Sequence, residues 1–249
     1  MDFRLHVVLP LFAGVLGLVS ASFAQPSAAA RPTSASQSST GQSSSNQSSA
    51  ARHARKAVPG AEPRLDAGSV SNGVYRNPGF GFTCKIPLGW VLRTQEMNAQ
   101  NKKEDAETDA GQAASEPAKA GRVLLAAFSR PPEARGEDVN SSILIAAESV
   151  EAYPGLKEAA QYFGPVSEVA KTRGLELIED PYELEIGTKT VVRGDFQRDV
   201  GTRVMRQSTL VILGHGYLVS LTFIGGTEDE VEELVQGLGF GAGAKTLAH

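Results

Sequence analysis

Cysteine is almost missing from this chain. Cys84 stands alone, so no internal disulfide framework is open to it. Histidine is scarce too: His6 and His53 precede the part that reads as folded, His249 is the last residue, and only His215 lies within it. There is no H-E-x-x-H, no cysteine pair and no G-x-S-x-G elbow, so zinc and serine-hydrolase chemistry have no local signature. Tryptophan occurs once, at Trp90. An excess of positive charge is also lacking. The net charge is −4, which gives no overall attraction to nucleic acid or anionic lipid. Gly237-x-Gly239-x-Gly241 follows a helical pattern rather than a strand, which argues against a phosphate loop.

Long apolar runs are confined to the start. Residues 7–19 are almost wholly apolar, Arg4 precedes them, and Ser22-Phe23-Ala24 puts small residues at −3 and −1. This reads as a secretory signal over 1–24, cleaved before Gln25, with export to the periplasm or beyond. No cysteine follows the small residues, which argues against a lipid anchor. The alternative is an uncleaved inner-membrane anchor over 5–24, a span interrupted by Pro10, Gly14 and Gly17. Residues 25–70 are rich in Ser, Gln and Ala and read as a disordered linker, unable to bury enough apolar surface to offset ordering entropy. Within it, Arg52, His53, Arg55 and Lys56 read as a solvated basic patch. The folded domain is expected over 71–240, with a disordered insertion at 96–120 that has no apolar period, and a flexible tail at 241–249.

The domain opens with YRNPGFGFTCKIPLGW at 75–90. Phe80, Phe82, Cys84 and Ile86 recur every second residue, the period of a half-buried strand, with Asn77-Pro78-Gly79 turning before it and Pro87 ending it. That phase makes Cys84 a buried structural thiol. Strands are expected at 74–76, 81–86, 122–129 and 142–153. Leu156, Ala159, Ala160 and Phe163 share a helical face, and Gly164-Pro165 divides it from a second piece over 166–172 that stops at Gly174. Strands follow at 175–179 and 182–186, then a meander over 191–199, 203–213 and 217–224. With Val200-Gly201 as a two-residue loop, Phe196 faces Met205 and Asp195 faces Arg206. Val192, Phe196, Met205, Val211, Leu213, Leu218 and Ile224 then share one side. Leu210, Ile212, Tyr217, Val219, Leu221 and Phe223 share the other. A sheet apolar on both faces needs a cover on each. Thr227 with Glu230 forms a capping box for a last helix whose stripe is Val231, Leu234, Val235 and Leu238. The fold class is α+β: a three-layer α/β/α sandwich around a central, mainly antiparallel sheet.

Tyr75-x-Asn77-x-x-Phe80-Gly81-Phe82 followed by Ile86-Pro87-x-Gly89-Trp90 resembles the opening of PsbP-like domains. The strands, helix and meander that follow, and the Thr-capped helix after Phe223-Ile224, extend the resemblance over about 73–240. It implies the same α/β/α sandwich. The family includes an extrinsic subunit of the photosynthetic oxygen-evolving complex, a Ran-binding import factor and exported bacterial proteins, which share a fold rather than a chemistry. The matched residues are turn and core residues, so no binding residue carries over.

Candidate sites are few. Glu176, Glu179, Asp180, Glu183 and Glu185 form an acidic run, and Glu183 and Glu185 share a strand face. Paired carboxylates could serve a hydrolase, but the wet side of an edge strand reads the same way. Arg193, Arg198, Arg203 and Arg206 form a possible partner- or anion-binding patch on the first hairpin of the meander, or else cross-strand charge pairs. No catalytic, cofactor-binding or metal-binding residue is assigned. The expectation is an exported, non-enzymatic domain that binds a protein partner or supports an assembly of the cell envelope, with no nucleic-acid partner and no membrane span after signal cleavage. A small-ligand or lipid-binding module is the alternative, and a small hydrolase the third reading.

Overall fold

The computed structural model describes residues 65–109, 121–134, 136 and 139–241. The signal segment, the linker up to residue 64, residues 110–120 and the tail from 242 lie outside the described residues.

The first strands are β1 (Ser69–Ser71), β2 (Val74–Asn77), β3 (Phe82–Lys85) and β4 (Val91–Leu92). Then come helix α1 (Thr94–Asp109), β5 (Arg122–Phe128), β6 (Ser142–Ser149) and helix α2 (Phe163–Thr172). The chain continues through β7 (Glu176–Leu177), β8 (Tyr182–Ile186), β9 (Lys189–Val200), β10 (Arg203–Gly214) and β11 (Tyr217–Gly225). It ends with helix α3 (Glu228–Gln236) and β12 (Leu238–Phe240). Eight strands form one sheet in the order β4-β5-β6-β11-β10-β9-β7, with β8 also on β9. A second sheet runs β1-β2-β3-β12. Every strand pair is antiparallel, which makes this an α+β fold.

The large sheet is apolar on both faces, as its strand pattern requires. One face buries Leu144, Phe196, Met205, Val211 and Leu218 against Phe163, Val166 and Ala170 of α2. The other buries Ile143, Ile145, Leu210, Leu221 and Phe223 against Val231, Leu234 and Val235 of α3 and against Tyr75, Phe82 and Cys84 of the small sheet. Each such side chain contributes about 1.5–3 kcal/mol on full burial. The cover on this second face is therefore mixed, α3 beside a sheet, rather than helix alone. The 75–86 strands belong to that cover and not to the central sheet.

α2 seats closely because β9 carries Gly194, where an added Cβ would lie 2.4 Å from the Phe163 ring. The expected helix over 156–163 is a single 3-10 turn, Ala159–Tyr162. Gly164-Pro165 does not divide two helices. Proline falls in the first turn of α2, where its missing N–H costs nothing. Gly174 ends the helix as expected: its N–H reaches Lys171 O and that of Leu175 reaches Ala170 O, each at 3.0 Å. At α3, Thr227 accepts from Glu230 N at 3.1 Å, but the Glu230 carboxylate takes the Gly226 N–H at 2.8 Å instead of the cap's own.

Three expectations are corrected. The folded part begins by Leu65, not at 71. Leu65 packs on the core, and Asp66 accepts the N–H groups of Gly68 at 2.9 Å and Gly79 at 2.8 Å, tying the entering chain to the β2–β3 turn. The expected disordered insertion at 96–120 starts inside α1. This helix has no apolar stripe to dock it. Met97 packs on the core, and polar side chains fasten the helix to the edge of β5 beyond β4. Asn98 donates to Val123 O at 2.9 Å and accepts from Val123 N at 3.1 Å, while the Thr94 hydroxyl accepts from Ala126 N at 2.9 Å. Finally, the β9–β10 loop is Gly201-Thr202, since Val200 pairs with Arg203. Phe196 therefore faces Gln207, Met205 faces Arg198 and Asp195 faces Ser208. Gly201 has φ +61 and takes the first central position of the loop, which a II′ turn reserves for glycine. The slip keeps strand parity, so both apolar faces are composed as expected.

Candidate functional site

Two long strands part company at one end of the large sheet. The β9–β10 ladder ends at Val192↔Val211. Beyond it, β10 continues to Gly214 paired only with β11, and β9 starts at Lys189 paired only with β8. The inner edges of Thr190-Val191 and Ile212-Leu213 thus face each other across an opening. It forms a cleft of about 310 Å³, lined also by Lys157, Glu158, Ala159, Ala160 and Glu183. Val191, Val192, Val211 and Ile212 supply an apolar floor, all buried. Lys157, Glu158, Glu183 and Lys189 are exposed and put both signs of charge at the mouth. The large exposed apolar side chains Val70, Leu88, Leu92 and Ile178 come from four different segments, and none lines this cleft.

Behind the wall of the cleft lies a buried acid. Glu148 is 3 % exposed. It stands opposite Leu218 on β11, which in turn stands opposite Leu213 at the cleft. Its phase along β6, with Leu144 and Ala146, points it to the α2 side. One carboxylate oxygen accepts from the Tyr162 hydroxyl at 2.8 Å, and the other accepts from the Tyr153 hydroxyl. The two rings meet edge to face at 5.4 Å. Burial raises the Glu148 carboxyl above the usual carboxylate range, and the two phenol hydrogen bonds offset this only in part. Burial, and then the charge of Glu148, also raise both tyrosines.

The four arginines of the hairpin do not form one surface. Register puts Arg193 and Arg206 on the α3 side and Arg198 and Arg203 on the α2 side. Arg193 is buried in an ion-pair network: it donates to Asp195 at 2.9 Å and to Glu232 of α3. Asp195 also accepts from Tyr182 at 3.1 Å and from Ser208, and the Arg193 guanidinium stands 6.0 Å from the Tyr182 ring. Burial alone would lower Arg193; Glu232 and Asp195 hold it above its ordinary value. The network joins β8, β9, β10 and α3 and has the character of a structural tie. Arg206 donates to Gln197 at 2.6 Å, and Arg198 reaches the Arg173 carbonyl at the end of α2 at 3.4 Å.

The remaining candidates hold no chemistry together. Glu183 and Glu185 are exposed on β8, with Glu183 at the cleft mouth. His215 is exposed in the β10–β11 turn at φ +54, followed by Gly216 at φ +79, the type I′ pattern, and its ring meets Phe80 at 6.0 Å. Cys84 is fully buried, and burial pushes its thiol up to about 12. Among the described residues no group of three His, Cys, Asp or Glu is placed to hold a metal ion, and no helix is long and apolar enough to cross a membrane.

Sequence reasoning missed the Glu148–Tyr153–Tyr162 cluster. Its signal was present: a glutamate at a core-facing phase of an apolar strand is rarely unpartnered. It also missed the cleft, because the point where a ladder stops leaves no mark in strand periodicity.

No family model matches the chain, and no curated protein matches it. Solved structures are similar at low identity. The cyanobacterial PsbP of Synechocystis is 16 % identical over 70 % of this chain and 96 % of its own, with a TM-score of 0.40. The Ran-binding protein Mog1p of Saccharomyces cerevisiae is 12 % identical over 69 % of this chain and 96 % of its own, at 0.34. LpqN of Mycobacterium tuberculosis, involved in cell envelope biogenesis, is 14 % identical over 63 % of this chain and 76 % of its own, at 0.30.

Proposed function

We propose that this chain is an exported, non-catalytic domain that binds a partner protein by taking the tip of an extended segment into the opening between β9 and β10. Export rests on the apolar run and small residues of 1–24. The binding mode rests on one observation: the ladder stops at Val192↔Val211 while both strands run on, leaving two strand edges facing a cleft. Unpaired strand edges recognise peptide backbone, and the pockets beside them select side chains. Small residues, Ala159 and Ala160, line one wall, and charges of both signs flank the entrance. No nucleophile with a partnered base adjoins the cleft among the described residues, so the reading involves recognition without turnover.

The test is selection from a random library of extended peptides on the folded protein, followed by affinity measurement on Ala160→Trp. Ala160 is exposed, so the indole blocks the cleft without entering the core. Binding should weaken about tenfold or more, the equivalent of ~1.4 kcal/mol of lost contact. Selected peptides that bind Ala160→Trp as well as the parent would contradict the reading, as would a bound small metabolite displaced by the same substitution.

A further inference from the structure

The cleft wall is pinned at both ends to a single buried acid. Tyr153 follows the 3-10 turn Val150–Ala152, and Tyr162 closes the turn Ala159–Tyr162. Their hydroxyls take separate oxygens of Glu148. Between these two pins lie Lys157, Glu158, Ala159 and Ala160, the residues that wall the cleft. We infer that Glu148, Tyr153 and Tyr162 form a proton-operated clasp: a neutral carboxyl holds the 154–161 wall against the sheet, and an ionised one releases it. The regulatory role rests on the cleft being the binding site; the clasp geometry does not depend on the occupant.

The chemistry follows from what surrounds the acid. A neutral carboxyl can keep accepting from the buried Tyr162 hydroxyl and donate its own proton to the Tyr153 oxygen, the Tyr153 proton turning to water at its partly exposed end. Loss of that proton to water leaves a full negative charge held by two phenols alone. No cation faces it. Leu218 stands opposite on β11, and Arg122 on β5, paired with Ala147, projects to the other face. In the segment itself, Glu151 and Glu158 are exposed and carry the same sign, while Glu168 and Lys171 of α2 are exposed and paired with each other. A buried charge without a counter-ion is costly, and the available relief is hydration. Two of the three groups sit on a short segment of 3-10 turns and loop, so opening that segment hydrates the charge without dismantling the sheet. Tyr153 is already partly exposed and is the end from which water enters.

The experiment uses the full chain. The Glu148 side-chain carbon is followed by NMR while amide exchange is measured over 154–161, with the intrinsic pH dependence of exchange divided out. Glu148 should titrate above the ordinary value of about 4.3, and protection of 154–161 should fall about tenfold or more through that same titration. Glu148→Gln keeps the shape and removes the charge, so its protection should not respond to pH. Tyr153→Phe removes one pin and no charge. It should raise the Glu148 titration further and lower protection from the 153 end, which keeps the test available if Glu148→Gln fails to fold. A Glu148 titration near the ordinary value overturns the inference, as does protection that ignores the titration or a Glu148→Gln protein with the parent's pH response. A clasp that moves while selected peptides map outside the cleft defeats the binding proposal alone. Peptides bound in the cleft with equal affinity on both sides of the titration defeat the clasp's regulatory role alone.

Discussion

Phe82, Cys84 and Tyr75 show what the opening motif does. Phe82 is 2 % exposed and packs between Tyr75 and Phe240, with ring centroids 5.8 Å from each. Phe82→Ala should therefore cost roughly 3–5 kcal/mol in denaturant unfolding. A near-neutral result would place the ring outside the core. Cys84 should be inert to thiol reagents in the native protein and react only on unfolding, because burial holds its thiol near 12. Labelling at native conditions faster than global unfolding would contradict this. Asn77 is fully buried and accepts from Phe80 N at 3.0 Å while donating to Asp66 O and to the Tyr75 hydroxyl, also at 3.0 Å. The conspicuous residues of the motif close a turn and fasten the entering chain. They are architectural, and their polar partners at 66–67 were hidden inside what reads as linker.

At the scale of elements, the periodic ones were legible and the polar-anchored ones were not. The faces of β6, β10 and β11 follow from alternation alone, and they survived a wrong β9–β10 register because the slip preserved parity. α1 carries no apolar period. Beside the single Met97 contact, two polar side chains bond it to a strand edge, a pairing invisible to any hydrophobic pattern. Asn98→Ala should leave the outer groups of Val123 unpaired and cost about 1–3 kcal/mol, seen as lost amide protection at Val123 and through α1. Unchanged protection would mean the helix is held elsewhere. Gly194→Ala should cost a similar ~1–3 kcal/mol, because the added methyl meets the Phe163 ring and must lift α2. A thermal-unfolding midpoint equal to the parent's would show that the ring can yield.

For the molecule as a whole, fold class was readable and the site was not. Two apolar faces on one sheet demand two covers, and the structure provides them. The site depends on where a ladder ends and on a glutamate whose partners are supplied by two tyrosines from later in the chain. That glutamate also sets an expected pH dependence of stability. Its folded-state carboxyl is raised by burial, so the unfolded chain releases the proton first. Stability should then fall as pH rises from the ordinary value of about 4.3 toward the folded one. Glu148→Gln should remove that slope, as urea unfolding across the window will show; an unchanged slope assigns it to other groups.

The most direct check on the binding account is amide mapping of the folded chain saturated with a selected extended peptide. Hydrogen exchange should slow at Thr190 and Leu213, whose N–H groups turn toward the opening, while those of Val191 and Ile212 already face β8 and β11. Protection confined to other strand edges, or absent from these two amides in a saturated complex, would contradict it.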